Sequence, residues 1–367
     1  MALVGPLPPP AGGMANQTRQ LSELLRAEGA VVEVVQVNPP YRPAWIGKLL
    51  GVRALFRLVP YLVRLWRATG RAEVIHIMAN SGWSWHLFAA PAVWIAKLRG
   101  KRAIVNYRGG SAETFLKSSF RWMRPTLQVA DKIVVPSGFL QAVFGKWGIM
   151  TTVIPNIVNL PLFSRAMGRT EREQIHAPRL VVTRNLEPIY DIPTVLRALA
   201  LLLRDFPRAH LTIAGSGPER AALETLASQL GIVGSVTFTG RLDIKEVAAL
   251  YRSADVAINP SRVDNMPNSV LEALASGVPV VSTNVGGVPY IVQNRQSALL
   301  VPPGNPRDMA EAVADLLNDP GLRRHLIDNG LTLVKRYAWP NVREQWLSAY
   351  GEPLHGAPRR SAASAKG

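Results

Sequence analysis

The sequence predicts an α/β protein of two tandem domains, each a doubly wound parallel sheet with helices on both faces. Three observations lead there. The chain has 367 residues, more than one hydrophobic core comfortably serves. Short apolar runs alternate with longer amphipathic ones from end to end, the pattern of βαβ units. Between Pro161 and Pro178 lies a polar, charged stretch bracketed by prolines, PLFSRAMGRTEREQIHAP, of the kind that links domains.

In the first half, spans 31–37, 73–78, 102–107 and 132–136 are predicted strands, with helices over 14–28 and 85–98 among them. In the second, strands are predicted at 180–183, 209–214, 235–239, 256–259 and 279–283. The helices there fall at 193–205, 219–230, 245–253, 269–276 and 308–318. This places an N-terminal domain at 1–165 and a C-terminal one at 175–335. A helix near 340–350 is free to pack back on the first domain. Residues 352–367 (EPLHGAPRRSAASAKG from 352) are low in complexity and expected to be disordered. No repeat at solenoid periods is visible.

Composition removes several function classes. Hydrophobic residues are 48% of the chain, and there is no cysteine, so disulfides, thiolate metal sites and cysteine nucleophiles are excluded. The six histidines never fall in a paired ligand spacing. The N-terminus lacks a basic n-region and is cut by prolines, unlike a secretory signal. The longest apolar stretch, 87–96, is too short to span a bilayer. A soluble, cytoplasmic protein is the expectation. The net charge of +17 sits mostly in the first half, where residues 1–168 carry 20 Lys and Arg against 6 Asp and Glu. An anionic partner for that half follows, whether membrane, nucleic acid or phosphorylated substrate.

The residues with most chemistry lie in 260–287, PSRVDNMPNSVLEALASGVPVVSTNVGG. A loop holding Asp264 runs from a strand into a helix that Asn268 or Ser269 would cap. Glu272 is then expected in the first helical turn. There it would either complement the helix dipole or accept two hydrogen bonds from a ribose diol, with the free N–H groups of the helix start suited to pyrophosphate. This stretch resembles the E-x7-E signature of the family 4 retaining glycosyltransferases of GT-B fold, with Asp264 as first acid and Glu272 as second. The similarity extends from Gly12 to about Tyr350. It implies two Rossmann-like domains facing across a cleft, Glu272 on the nucleotide ribose, and Asp264, shorter than the usual Glu, against the donor sugar.

Other motifs take their place beside it. VTRNLEPIY, 182–190, is similar to the family loop whose Arg and following Lys grip the donor diphosphate. Arg184 fits that role as a bidentate clamp, and Tyr190 stands near the place of the Lys. Gly215-Ser-Gly217 is a tight turn before a helix or a weak nucleotide-binding signal, its third glycine missing. Arg241, after Thr239-Gly240, is a candidate beside the base. Gly12 and Gly13 precede a helix and match the family's Gly-rich loop, which faces donor phosphate and acceptor; a flexible turn is the competing reading. In Asn106-Tyr-Arg108-Gly-Gly-Ser-Ala-Glu113, Arg108 stands where many relatives carry His. It stays protonated and cannot act as a base. A retaining transfer needs none, because the leaving phosphate can assist the incoming hydroxyl. Arg108 would then stabilise charge on phosphate or hold an anionic acceptor, and Glu113 is an acceptor-side candidate or a solvated helix-start carboxylate.

Finally, Lys48, Arg53, Arg57, Arg64, Arg67 and Arg71 interleave with bulky apolar residues from Ile46 to Trp66. That suits a helix lying on an anionic membrane, with Arg53 and Arg57 near the acceptor, or an ordinary domain helix with a solvated basic face. Pro60 is expected to kink or divide it. The resulting expectation is a hexosyltransferase: a sugar moves from a UDP- or GDP-sugar to a hydroxyl of a lipid-linked saccharide, at the inner face of the cell membrane. No metal, no further cofactor and no nucleic acid are called for. A nucleotide-sugar epimerase of the same fold would need acids from both domains, and the first is acid-poor. A basic nucleic-acid-binding protein would need a binding motif, and none is present.

Overall fold

The structure is a computed structural model that describes residues 1–9, 12–41, 45, 53–165 and 175–351, the side chains of 53–55 excepted. Lys48, the middle of the 161–178 linker and the tail from 352 lie outside the described residues. The chain forms two compact units: Met1–Arg108 with Thr114–Val134 and the segment from Arg343, and Gly109–Glu113 with Val135–Val342.

The first sheet is built on strands β1 (Ala2–Gly5), β2 (Glu33–Gln36), β3 (Val74–Ala79), β4 (Arg102–Tyr107), β5 (Lys132–Val135) and β6 (Thr152–Val153), in the order β2-β1-β3-β4-β5-β6. β1 to β5 pair in parallel. β3 is buried at every position and β4 at all but Arg102, the mark of strands covered on both faces. Helices α1 (Gly13–Ala27), α2 (Arg53–Arg71), α3 (Ala90–Leu98), α4 (Ala112–Val129) and α5 (Gly138–Gly145) follow in chain order. A single π-turn, Trp85–Ala89, leads into α3. α2 runs through Pro60 as one helix, so the expected division does not occur. Pro60 is exposed, so its ring falls on the solvent side of the helix, away from the packed face.

The second unit carries β7 (Arg179–Val182), β8 (His210–Ala214), β9 (Val236–Gly240), β10 (Val256–Asn259), β11 (Val280–Thr283) and β12 (Leu299–Val301). Their order is β12-β11-β10-β7-β8-β9, all parallel. Helices α6 (Ile192–Leu202), α7 (Arg220–Gln229), α8 (Ile244–Ser253), α9 (Asn268–Ala275), α10 (Pro306–Asn318), α11 (Pro320–Val334) and α12 (Trp339–Tyr350) complete the chain. One apolar layer sets α6, α7 and α10 against the sheet, and a second sets α8 and α9 against the other face. The strand order reverses between β7 and β10. In such sheets that switch point, beyond the carboxyl ends of the strands, is where ligands bind.

Candidate donor site

The loops leaving β7 and β10 meet at the switch point, joined by the side chain of Arg184 and by that of Arg262, which pairs with Asp191 at 3.1 Å. Arg184, two residues past β7, donates from Nε to Asn259 Oδ1 at 2.9 Å and from Nη2 to Ser261 Oγ at 3.0 Å. It also forms an ion pair with Asp264, and both side chains are nearly buried, 12% and 11% exposed. Tyr190 lays its ring 4.7 Å from the guanidinium carbon. Asn259 is itself fixed by donating to Ser282 Oγ at 2.9 Å, and Thr283 donates to the Ser261 carbonyl at 2.5 Å. Burial lowers the Arg184 pKa from its ordinary value, but an arginine keeps its charge regardless. The result is a pre-oriented cation at the end of two central strands.

Glycines let these loops approach one another. A Cβ on Gly215 would lie 1.9 Å from the Arg184 carbonyl oxygen, and one on Gly217 2.2 Å from that of Leu186. The close backbone approach of the Arg184 loop therefore requires both glycines of the G-x-G turn. Gly286, at φ +51, and Gly287 back the Asp264–Asn265 peptides in the same way. Gly287 N–H donates to Asp264 O at 2.7 Å.

Two expectations at α9 are corrected. Pro267 occupies the N-cap with no side-chain cap, so neither Asn268 nor Ser269 caps the helix. Asn268 Oδ1 instead accepts from Asn156 Nδ2 at 2.7 Å. Ser269 Oγ is buried without a hydrogen-bond partner among the described residues. Glu272, five residues into the helix, sits in the second turn, since the first holds no acid. It is half-buried. Burial pushes its carboxyl up to about 7, against the opposing pull of Arg184. Tyr251 shares the neighbourhood: its hydroxyl hydrogen-bonds to Thr183 and donates to the Ser269 carbonyl at 3.0 Å.

The remaining candidates are dispersed. Arg241 is exposed after the edge strand β9, separated from β7 by β8, and the structure does not bring it to the Arg184 cluster. In the first unit, Gly12 is the N-cap of α1 with extended backbone. A Cβ there would meet nothing within 4 Å, so the fold itself does not demand glycine. Gly13 opens the helix. Arg108, past β4, donates from Nε to Asn106 Oδ1 at 3.0 Å, and burial lowers its pKa to about 10. Glu113 is a solvated carboxylate in the first turn of α4, paired with Lys146 at 2.8 Å. Arg57 packs its guanidinium 4.2 Å over the Tyr41 ring. With Arg64 and Gln36 it lines a cavity of about 430 Å³. The Arg53 side chain lies outside the described residues. Among the described residues no cluster of His, Asp and Glu could hold a metal ion.

Asn259, Ser261, Thr183 and Tyr251 were not singled out from sequence. The available signal was polar residues at the carboxyl end of a buried strand, Asn259 and Ser261 around Pro260 after the apolar run of β10.

Two Rossmann-like six-stranded sheets in one chain define the GT-B class of glycosyltransferases. Sucrose-phosphate synthase from Thermosynechococcus elongatus shares that fold, with a TM-score of 0.72 at 22% identity over 95% of this chain and 98% of that one. Anabaena HepE, solved with UDP, matches with a TM-score of 0.72 at 16% identity over 95% and 98%. In sequence, the family described as glycosyl transferases group 1 matches residues 171–332, and that described as glycosyltransferase family 4 matches residues 11–161. The chain belongs to this glycosyltransferase family. A phosphatidyl-myo-inositol mannosyltransferase of Mycobacterium leprae is 27% identical over 358 residues, 92% of each chain. An uncharacterised glycosyltransferase of Methanocaldococcus jannaschii is 35% identical over 164 residues, 43% of this chain and 42% of its own. A D-inositol 3-phosphate glycosyltransferase of Streptomyces bingchenggensis is 31% identical over 226 residues, 57% and 49%. The chain thus spans less than half the length of these last two relatives.

Proposed function

We propose that the chain transfers a sugar, with retention of configuration, from a nucleoside diphosphate sugar to a hydroxyl of a lipid-linked acceptor. One observation carries the reading: Arg184 is fixed across the β7–β10 switch point by Asn259, Ser261 and Asp264. A guanidinium held there matches a diphosphate in charge and can donate to it through Nη1, the nitrogen outside these three contacts, and a dipole fixed before reaction costs no reorganisation when charge develops. The N–H groups at the start of α9 and the Ser269 hydroxyl, which has no partner among the described residues, offer further donors to the same anion. Tyr190 adds a phenol, and Asn268, its side chain engaged with Asn156, adds its backbone N–H.

Glu272 accepts from the ribose diol, and Asp264 holds Arg184 and borders the sugar. In the first unit, the open Gly12–Gly13 loop admits a phosphate, and Arg108 offsets charge on the departing diphosphate. Glu113, Arg53 and Arg57 serve the acceptor. The chain's own cations do the neutralising, with no metal or further cofactor. Relatives named as acting on phosphatidylinositol and inositol phosphate support an acceptor of that general kind.

The test is thermal. Nucleoside diphosphates at tenfold over Kd should raise the melting temperature by roughly 3 °C or more, and Glu272→Ala should abolish the rise. A proton on Glu272 blocks diol recognition. With its carboxyl pushed up to about 7, the shift should therefore weaken as pH falls below 7 and persist above it. For the unliganded fold the sign is opposite. A raised carboxyl pKa favours the folded state below the unfolded value, and that contribution is lost as pH rises toward 7. No shift with any nucleoside diphosphate at pH 8 would defeat the donor assignment.

The acceptor reading has its own support on α2. Tyr61, Leu65, Ala68 and Thr69 face the core, whereas Phe56, Val59, Val63 and Trp66 are 45% to 57% exposed. At 3.6 residues per turn the second set lies roughly opposite the first, flanked by exposed Arg64, Arg67 and Arg71. Among the described residues no helix is long and apolar enough to cross a membrane, but an outward stripe of this kind suits the surface of an anionic bilayer. Vesicles of anionic phospholipid should co-sediment with the protein at low salt, and Val63→Glu with Trp66→Glu should release it. Equal recovery of wild type with neutral and anionic vesicles would exclude this docking mode.

A further inference from the structure

Behind Arg108 a line of buried polar groups runs through the sheet to the last helix. Asn106 Oδ1 accepts from Arg108 Nε at 3.0 Å, while Asn106 Nδ2 donates to His76 Nε2 at 3.0 Å. His76 Nδ1 lies 2.8 Å from the Tyr350 hydroxyl. Asn106, His76 and Tyr350 are at most 1% exposed. The chemistry of the end member fixes the polarity of the whole line. A guanidinium Nε only donates, so the Asn106 oxygen must face it and the amide nitrogen must face His76. His76 Nε2 must then be the bare nitrogen, Nδ1 carries the proton, and the Tyr350 oxygen accepts it. No other tautomer satisfies all three contacts.

The far end is clamped. Tyr350 stacks on Trp346 with centroids 5.7 Å apart, and His76 packs 4.8 Å from the same Trp346. The Tyr350 carbonyl accepts from Arg102 at 2.8 Å. Burial, with the Arg108 charge adding to it, drives the His76 pKa down to about 3, so the ring stays neutral at working pH and the polarity does not invert. Buried polar lines in which every contact is satisfied rigidify what they hold.

We propose that Asn106, His76 and Tyr350 are positioning residues that fix the Arg108 guanidinium from behind, tying its orientation to the C-terminal helix. This rests on the reading above in which Arg108 acts on the departing diphosphate. It adds that the arginine is effective because of a relay anchored about 240 residues downstream, at Tyr350.

The test is a double-mutant cycle on the full chain, reading release of nucleoside diphosphate from UDP- and GDP-sugars with water as acceptor. Asn106→Ala should lower kcat by at least about tenfold, toward the value of Arg108→Ala, with donor KM changed less than twofold. The Asn106→Ala/Arg108→Ala pair should be no slower than Arg108→Ala alone, because a positioning residue has nothing left to position. Tyr350→Phe keeps the stack on Trp346 and removes only the proton acceptor. It carries the test if Asn106→Ala does not fold: kcat should fall several-fold in wild type and not at all in the Arg108→Ala background. Losses that multiply in the double variant would mean a purely structural cluster and overturn the relay. So would an impaired Arg108→Ala beside an unimpaired Asn106→Ala or Tyr350→Phe. Wild-type turnover in Arg108→Ala would instead overturn the reading of Arg108 itself, and the relay with it.

Discussion

Arg184→Ala is expected to lower kcat/KM by roughly 10²–10³-fold, the usual consequence of removing one pre-oriented group that stabilises developing negative charge. The loss should appear in kcat as well as in donor KM, since the same cation would bind the ground-state diphosphate and the more highly charged leaving group. A second effect accompanies it. Asp264 is 11% exposed and paired with Arg184, and a buried carboxylate stripped of its partner destabilises the fold. Arg184→Lys separates the two effects. A lysine keeps the countercharge for Asp264 but cannot also reach Asn259 and Ser261 as a planar fork. Its melting temperature should stay near wild type while kcat/KM falls to an intermediate value. Melting curves and steady-state kinetics on the same preparations check both.

Gly287→Ala should unfold or displace the site without touching any charged group. Its added Cβ would stand 1.7 Å from the Asn265 carbonyl oxygen and 2.5 Å from the carbon. Backbone occupies that space, so no rotamer change relieves the clash. The backbone of Gly287 is not left-handed, because only Gly286 of the pair has positive φ. The effect is steric, and the 264–265 peptides must move. Their movement withdraws Asp264 from Arg184 and breaks the hydrogen bond from Gly287 N–H to the Asp264 carbonyl. A cost of about 3 kcal/mol places this among severe substitutions and corresponds to a melting decrease of roughly 6–12 °C for a unit of this size. Gly12→Ala is the natural control, because its Cβ meets nothing, and its melting temperature should not change.

Much of the second unit was legible in the sequence. β10 was placed to the residue, and β7, β8, β9 and β11 to within a residue or so at each end, because buried parallel strands read as continuous apolar runs. β1, with four residues before a proline, and β12, with three, were too short to register as periodic. α11 begins on a proline and packs few apolar positions in step, so it too escaped notice. At the site, Arg184, Asp264 and Glu272 are named by the family resemblance rather than by local pattern, and the structure gathers Arg184 and Asp264 into one ion pair. What the sequence did not disclose was reach. The partners of Arg184 come from 75 and 77 residues away, and the His76–Tyr350 contact spans 274. Contacts at that separation are set by strand order, which local patterning does not encode. The error at α9 was of another kind. Asn and Ser are strong N-cap residues, but Pro267 fixed the helix start one position earlier, which moved Glu272 from the first turn to the second.

In the proposed reading, the carboxyl end of the β7–β10 switch point holds a nucleotide sugar through Arg184 and Glu272. Calorimetric titration of the wild-type chain with a panel of intact UDP- and GDP-sugars at pH 8 decides whether it does. At least one donor should bind with one-to-one stoichiometry and a Kd within the ~1 μM to 1 mM range usual for substrates, and Arg184→Ala and Glu272→Ala should each weaken it by tenfold or more. Absence of binding by every donor, or binding that both variants retain unchanged, would contradict it.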